Sequence, residues 1–371
     1  MKPHVVVALS GGVDSAVAAA LLQERGYRVT GLFMKNWEDD DRDGLCPSAE
    51  DYQSARAVAL HLEIPLHAAN FSRPYRDRVF TRFLADCKAG LTPNPDILCN
   101  REIKFDVFWR HAQGLGADLM ATGHYARVAR RDGQLRLLAG RDPDKDQSYF
   151  LHTIDPAILP FVHFPIGDFT KTEVRVRARA LGLVNAERSS SSGICFIGER
   201  RFAPFLRRYL KGVPGPIYTV DGEPKGHHEG LMFYTIGQRQ GLGVGGPGAA
   251  WYVADKRPAD NALIIAQGED HPRLYRSSCH TGPAQWLGPP PALPWNGLTK
   301  IRYRQPLQEV HVDTDIQAPG GLVLTFATPQ RAVTPGQSAV FYDAEGVCLG
   351  GAVITPACGP QDLPHPLPEC G

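Results

Sequence analysis

The sequence predicts an α/β fold: a parallel sheet with helices on both faces, then a small central domain and a C-terminal β-barrel-like domain. Three observations predict it. Apolar strand-like runs alternate with amphipathic helical stretches as far as residue 122, the pattern of parallel strands joined by helical crossovers. The first run ends in a glycine turn that opens a helix. After about residue 212 helical periodicity stops, and short strand-like pieces separated by Gly and Pro take over.

Residues 4–9 (HVVVAL) form the first strand, followed by the turn Ser10-Gly11-Gly12 and a helix over 14–25. A second strand is expected at 29–34. In 52–62, Tyr52, Ala55, Val58, Ala59 and Leu62 share one helical face. A strand near 66–71 precedes a helix whose stripe carries Tyr75, Val79, Phe80, Phe83, Leu84 and Cys87. A helix near 101–114 and the strand Leu119–Thr122 complete the alternation. Residues 125–139 read as a hairpin turning at Asp132-Gly133. The spacing Thr170 to Glu173 is a capping box, starting a helix over 171–181. Strand-like pieces at 299–304, 321–327, 338–343 and 348–354 make the terminal β-domain. The expected boundaries are 1–204, 205–275 and 276–356, with a Pro-rich tail over 357–371.

Composition narrows the function classes. Of 371 residues, 40 are Lys or Arg and 39 Asp or Glu, so the net charge is +1 and a strongly basic coat is excluded. Local charge is another matter. The window 38–51 holds seven acids and one Arg, for −6, and 171–211 holds ten Lys/Arg and three acids, for +7. The acidic run Glu38-Asp39-Asp40-Asp41 lacks the Gly/Asn spacing of a cation loop and reads as a solvated loop. No apolar run approaches the roughly 18 residues needed to span a bilayer, and the N-terminal run is too short for a signal peptide. A cytoplasmic protein with reduced thiols is therefore expected. The eight cysteines show no CxxC spacing, so no metal site is expected.

The hexapeptide Ser10-Gly11-Gly12-Val13-Asp14-Ser15 carries the chemistry. Glycines permit close backbone approach, a helix N-terminus offers free N–H groups and a positive dipole end, and two hydroxyls add donors. This is a phosphate cradle without the Gly-Lys-Ser/Thr ending of a Walker loop. The competing reading is a glycine turn with an ordinary cap. SGGVDS resembles the pyrophosphate loop of the ATP-pyrophosphatases, which split ATP between the α and β phosphates. Further blocks narrow the likeness: GLFMKNWEDDD (31–41), TPNPDILCNREIKF (92–105), ATGHYAR (121–127), KDQSYFL (145–151), GICFIGER (193–200), YTIGQRQGLG (234–243), VADKRPADN (253–261), IRYRQ (301–305) and TPGQSAVFY (334–342). Together they resemble the tRNA-specific 2-thiouridylase family, from about residue 4 to 354.

That resemblance implies an adenine-nucleotide α-hydrolase-like (PP-loop) sheet and ATP-dependent 2-thiolation of the wobble uridine of tRNA. It implies ATP contacts at Ala8, Leu9, Ser10, Gly11, Gly12, Val13, Asp14, Ser15, Met34 and Gly123, with Mg2+ carried by the phosphates. It implies tRNA contacts at Asn94, Pro95, Asp96, His124, Lys145, Asp146, Gln147, Arg302, Tyr303 and Gln337. Cys99 becomes the nucleophile, and Cys195 the carrier of a persulfide. As residues alone, both thiols read first as inert small hydrophobes, as Cys87 is expected to be on its apolar stripe. Cys99 follows the rigid Pro93-Asn94-Pro95-Asp96, and Cys195 follows a Ser/Gly loop. Bringing them within disulfide reach requires the loop 188–198 to move. Asp96 reads as a base contact and possible general acid/base, or as an Asx-turn residue beside proline. The family's usual Asp-Ser-Thr-Gly before Ile-Cys is here Ser190-Ser191-Ser192-Gly193. Expected partners are tRNA of the Lys, Glu and Gln isoacceptors and a cysteine desulfurase or sulfur-relay protein. Two other readings stand beside this one: an ATP-pyrophosphatase that amidates or ligates a small metabolite, and a non-catalytic tRNA-binding relative.

Overall fold

The computed structural model describes residues 2–38, 47–188 and 202–356. Asp39 to Asp41 of the acidic run, the loop bearing Cys195 and Ser190, and the tail over 357–371 lie outside the described residues. In chain order the first strands are β1 (His4–Ala8), β2 (Arg28–Lys35), β3 (Leu66–Asn70), β4 (Leu119–Ala121), the hairpin β5 (Ala126–Arg131) and β6 (Gln134–Ala139), and β7 (Val162–His163). Five of them form a wholly parallel sheet in the order β3-β2-β1-β4-β7.

β1 sits in the middle, buried along its whole length, as expected of a parallel strand covered on both faces. Its residues alternate between two cores. Val5, Val7 and Leu9 face helices α1 (Val13–Glu24) and α2 (Pro47–His61). Val6 and Ala8 face the helical stretches 72–88 and 95–114. Alanines at 16, 18 and 19, fully buried, let α1 lie close against the sheet. The helix Lys171–Ala180 begins with the capping box read from the sequence: the Thr170 hydroxyl accepts from Glu173 N, and the Glu173 carboxylate accepts from Thr170 N.

The central sheet contains β8 (Gly215–Thr219), β9 (Pro224–His228), β10 (Trp251–Arg257) and β11 (Ala262–Gln267), in the order β10-β11-β8-β9. The last sheet contains β12 (Tyr275–Thr281), β13 (Gln285–Trp286), β14 (Trp295–Lys300), β15 (Gln308–Thr314), β16 (Leu322–Arg331), β17 (Ser338–Tyr342) and β18 (Cys348–Val353). Its order is β12-β16-β15-β14-β17-β18-β13. The two ends curl toward each other: Thr281 bridges Ile354, and Gly282 N donates to Val353 O at 2.9 Å. The strand expected over 299–304 lies earlier in the chain: β14 runs from Trp295 to Lys300 and shares only residues 299 and 300 with it. There Ile301 N donates to the Gln305 side chain instead of a neighbouring strand, and Arg304 turns the chain at φ 64.

One apolar cluster runs through all three sheets, from Val6 and Phe80 through Phe205 to Val253 and Tyr342. Buried polar links fix how they meet. The Asp146 carboxylate accepts from Gly140 N at 2.9 Å, Ser148 N at 3.0 Å and, across the interface, Lys300 Nζ at 2.8 Å. The Tyr149 hydroxyl donates to Ser338 O at 2.9 Å, and Ala139 N to Gly346 O at 2.9 Å. His152, 1% exposed, lies against Gly351 of β18, with Nδ1 at 2.8 Å from Tyr149 O.

Two outcomes are expected. Lys300→Met strands the buried Asp146 carboxylate and should cost about 3–5 kcal/mol in urea unfolding, with most of it recovered in Lys300→Met/Asp146→Asn. Burial pulls the His152 imidazole from its ordinary value of 6.5 down to about 4. The unfolded chain then takes up that proton first as pH falls, so stability declines between pH 6.5 and 4, by about 3 kcal/mol for this group. Urea midpoints across that range should slope less steeply in His152→Asn, which carries no titrating ring.

Candidate active site

The loop Ser10–Ser15 leaves the carboxyl end of β1, and the turn Thr122–His124 leaves the neighbouring β4. β1 pairs with β2 on one side and β4 on the other, so the strand order reverses here, and ligands of such sheets bind at this crevice. Gly11 has φ +80, and a Cβ there would sit 2.3 Å from Asp51 O. A Cβ on Gly123 would sit 2.7 Å from Ser15 N. Only glycine fits either place.

Three donors pin the Gly11 carbonyl: Ser54 Oγ at 2.7 Å, Asn185 Nδ2 at 2.8 Å and Arg188 Nη1 at 3.3 Å. A trans peptide points its C=O and N–H in opposite directions. Holding the Gly11 carbonyl inward therefore turns Gly12 N–H outward, where its contact is a long 3.4 Å to Ser10 Oγ. The Ser15 hydroxyl donates to Gly12 O at 3.0 Å and lies 3.2 Å from Ser10 Oγ. Gly12 then caps α1 with no side chain in the way. The result is a row of outward amides at a helix N-terminus, a fit for phosphate oxygens. Asp14 is held by Lys171 Nζ at 2.7 and 2.8 Å and by the Tyr125 hydroxyl at 2.8 Å. Burial, then the Asp14 charge, pushes the Tyr125 phenol well up, so it stays protonated and donating. Met34 lies half-buried on β2, in register with Ala69, its side chain against the core. Ala8 and Leu9 are buried where β1 ends.

The second group of residues lies on the stretch 92–100. Asn94 caps the helical turn Pro95–Leu98, its side chain accepting from Asp96 N at 3.1 Å, with Pro95 in the first helical position. The Asx-type role weighed for Asp96 thus belongs to Asn94. Cys99 is fully buried and opens a π-helical stretch, Cys99–Val107, a form enriched at functional sites. Cys87 and Cys279 are core thiols pushed up to about 12 by burial, and Cys348 is pushed higher still, so all three are inert at neutral pH. Cys195 lies outside the described residues.

Contacts tie these groups together. The Asn100 amide donates to Phe150 O at 3.1 Å, and the Phe150 ring lies 4.4 Å from Tyr303. Gln147 accepts from Tyr125 N at 2.9 Å, joining the 145–147 segment to the residue that holds Asp14. Lys145 is half-buried beside it. His124 is buried, with Nδ1 at 2.7 Å from Thr122 Oγ1 and Nε2 at 3.4 Å from Lys104 Nζ. Burial and Lys104 hold its imidazole well below the ordinary value, so it is neutral. Arg302 donates to Ala332 O at 2.9 Å and Thr334 Oγ1 at 3.1 Å, and Gln337 Nε2 to Thr92 O at 2.7 Å. Asp146, Gln147, Arg302 and Gln337 thus have internal partners, a role that motif matching does not signal. Sequence reading also missed Lys171, Tyr125, Asn185 and Ser54. Lys171 sat inside a recognised capping box, but nothing in the spacing tied it to Asp14. Among the described residues no group of three or more His, Cys, Asp or Glu side chains is placed to hold a metal, and no helix is long and apolar enough to cross a membrane.

Comparison with known proteins agrees with this layout. Three family models match in order: a tRNA methyl transferase HUP domain over residues 3–199, a tRNA methyl transferase PRC-barrel domain over 203–267 and an aminomethyltransferase beta-barrel domain over 276–354. The tRNA-specific 2-thiouridylase MnmA of Methylococcus capsulatus is 52% identical over 361 residues, covering 95% of this chain and 96% of the relative. The protein of the same description from Chromohalobacter salexigens is 54% identical, covering 94% and 92%, and that from Nitrosomonas eutropha 53%, covering 95% and 99%.

The two loop glycines make a contrast. Gly11→Ala meets backbone at a positive φ and should destabilise the protein by about 2 kcal/mol. Gly12→Ala, at φ −82 with its nearest atom Ser10 Oγ at 3.5 Å, should unfold within about 0.5 kcal/mol of the parent in urea.

Proposed function

The chain belongs to the tRNA-specific 2-thiouridylase family, and from that premise we infer that it is an ATP-using tRNA-uridine 2-sulfurtransferase, forming 2-thiouridine at wobble position 34. The observation that carries this is likeness above 50% along the whole chain of relatives so described, rather than over the nucleotide domain alone. The words methyl transferase, which describe two of the matching families, name a chemistry that uses no pyrophosphate cradle. A metabolite ligase would share the loop but not the β-domains.

ATP binds with its phosphates on the outward amides of Gly12 to Ser15 and the hydroxyls of Ser10 and Ser15, and its adenine against Met34. Asp14, whose charge Lys171 already balances, would be the carboxylate to help position magnesium carried by the phosphates, which would supply positive charge to the leaving pyrophosphate. The uridine C2 carbonyl is a poor electrophile because its oxygen leaves badly. Transfer of AMP to O2 expels pyrophosphate and makes a good leaving group. Sulfur then attacks C2 and displaces AMP, delivered from a Cys195 persulfide directly or after Cys99 releases it as hydrosulfide. Either route ends in a Cys99–Cys195 disulfide, which an external thiol must reduce. Asp96 faces the base and handles its N3 proton. Asn94, Pro95, His124, Lys145, Asp146, Gln147, Arg302, Tyr303 and Gln337 line the tRNA side, either touching the RNA or fixing the segments that do. The division runs 1–204 for catalysis, 205–275 for the connector and 276–356 for the β-domain. The protein works in the cytoplasm on Lys, Glu and Gln isoacceptors, with a desulfurase or sulfur-relay protein as donor.

Nucleoside mass spectrometry after incubation with tRNA, ATP-magnesium, a persulfide donor and a thiol reductant should detect 2-thiouridine. Cys99→Ser should reduce it to background while ATP binding persists. A Cys99→Ser protein that thiolates fully would defeat this mechanism, and wild-type protein yielding neither pyrophosphate nor 2-thiouridine would favour the non-catalytic reading. Affinity for tRNA should fall steeply with added salt.

A further inference from the structure

Lys256 lies on β10 in the central sheet, inside the block VADKRPADN, to which no role was assigned. Its ammonium reaches out of that sheet to the catalytic domain, 3.0 Å from Gly90 O and 3.5 Å from Thr92 Oγ1. Gly90 ends the helical stretch 72–88 at φ +81, and Thr92 lies two residues further on. The C-terminal domain holds the same short stretch. Thr92 N donates to Pro335 O at 2.9 Å, and Thr92 O accepts from Gln337 Nε2 at 2.7 Å. A Cβ on Gly336 would sit 2.8 Å from Thr92 N, so the two backbones touch. Both backbone groups of Thr92 are therefore bound by the C-terminal domain, and its hydroxyl faces the central one.

The residues after Thr92 transmit its position. Pro93 and Pro95 have fixed φ, and Asn94 caps the turn that carries Asp96 and leads to Cys99. A shift at 90–92 thus moves Asp96 and Cys99 as a unit. We propose that Lys256 is a positioning residue: with the Pro335–Gln337 turn it clamps Gly90–Thr92, so that the two β-domains set where Asp96 and Cys99 stand. The proposal rests on the catalytic roles given above for Asp96 and Cys99.

The surroundings fit a role other than stability. Burial pulls the Lys256 ammonium from 10.5 down to about 8, so a charged group is kept at a desolvated interface at some cost. The buried Cys87 thiol lies close enough to feel that charge.

The test compares full-length wild type, Lys256→Met, Thr92→Val and the double variant, each folded at the assay temperature by circular dichroism. Two measurements are made: thiolation kinetics with tRNA, ATP-magnesium, a cysteine desulfurase with cysteine as persulfide donor and a thiol reductant, and amide hydrogen exchange. Lys256→Met should lower kcat about 10- to 100-fold, with KM for tRNA and for ATP within about twofold. Its melting temperature should stay within about 3 °C. The double variant should be no worse than Lys256→Met, since both changes loosen one clamp. Amides of 90–99 should exchange faster in Lys256→Met while β1 is unchanged. The proposal is overturned by an unchanged kcat, by a rise in KM for tRNA with kcat intact (a tRNA-binding lysine), or by additive losses. Unaltered exchange over 90–99 overturns it even if the wild type forms no 2-thiouridine, an outcome that would sink the sulfurtransferase reading separately.

Discussion

The constraint on which the site depends is the reversal of strand order at β1. With β2 on one side and β4 on the other, two loops leave adjacent strands at the same end and must share one crevice. Side chains do not fit there. Gly11 and Gly123 bring backbone within contact of backbone, and the inward carbonyl of Gly11 dictates the outward amide of Gly12. The row of outward amides is thus a by-product of close packing. The amides are aimed by the same contacts that allow the sheet and α1 to meet.

A second layer concerns how three sheets hold one geometry. Apolar surface glues them but fixes no register, because hydrophobic contact is non-directional. The directional contacts are polar and buried or half-buried: Asp146 with Lys300, Tyr149 with Ser338, Gln337 with Thr92, Arg302 with Ala332 and Thr334. Such bonds need a fixed donor–acceptor geometry, so they form in one arrangement and not in near alternatives. Their placement around segments 90–100 and 145–152 means that the arrangement selected is the one that sets the site.

The α/β half was legible because its signals are local. β1, the loop, α1, the Asp132-Gly133 hairpin and the Thr170–Glu173 box each declare themselves within a few residues. The β-rich half was legible only in part. β9 reads Pro-Lys-Gly-His-His and β12 Tyr-Arg-Ser-Ser-Cys-His-Thr, edge strands with little apolar alternation to find. β14 starts four residues before the strand-like piece read at 299–304, and past Lys300 the Gln305 side chain takes the place of a ladder partner. The site divided in the same way. Motifs named the loop and Cys99, but a lysine's usefulness depends on what it meets. Lys171, Lys256 and Lys300 meet partners 157, 166 and 154 residues away.

The full burial of Cys99 bears on the role proposed for it. A thiol that must attack a sulfur–sulfur bond is also a target for adventitious oxidation, and exposure governs both. Full burial removes the second hazard but also the first ability, so access has to be conditional on substrate. The segment is built for that condition. Ahead of Cys99 stand two prolines and an Asn cap, rigid and clamped at Thr92. From Cys99 onward the chain takes up π geometry, a rare form that occurs mostly at functional sites. On the proposed mechanism Cys99 must be uncovered when the base arrives, and the contacts that hold Gly90–Thr92 keep the chain ahead of it in place as that happens.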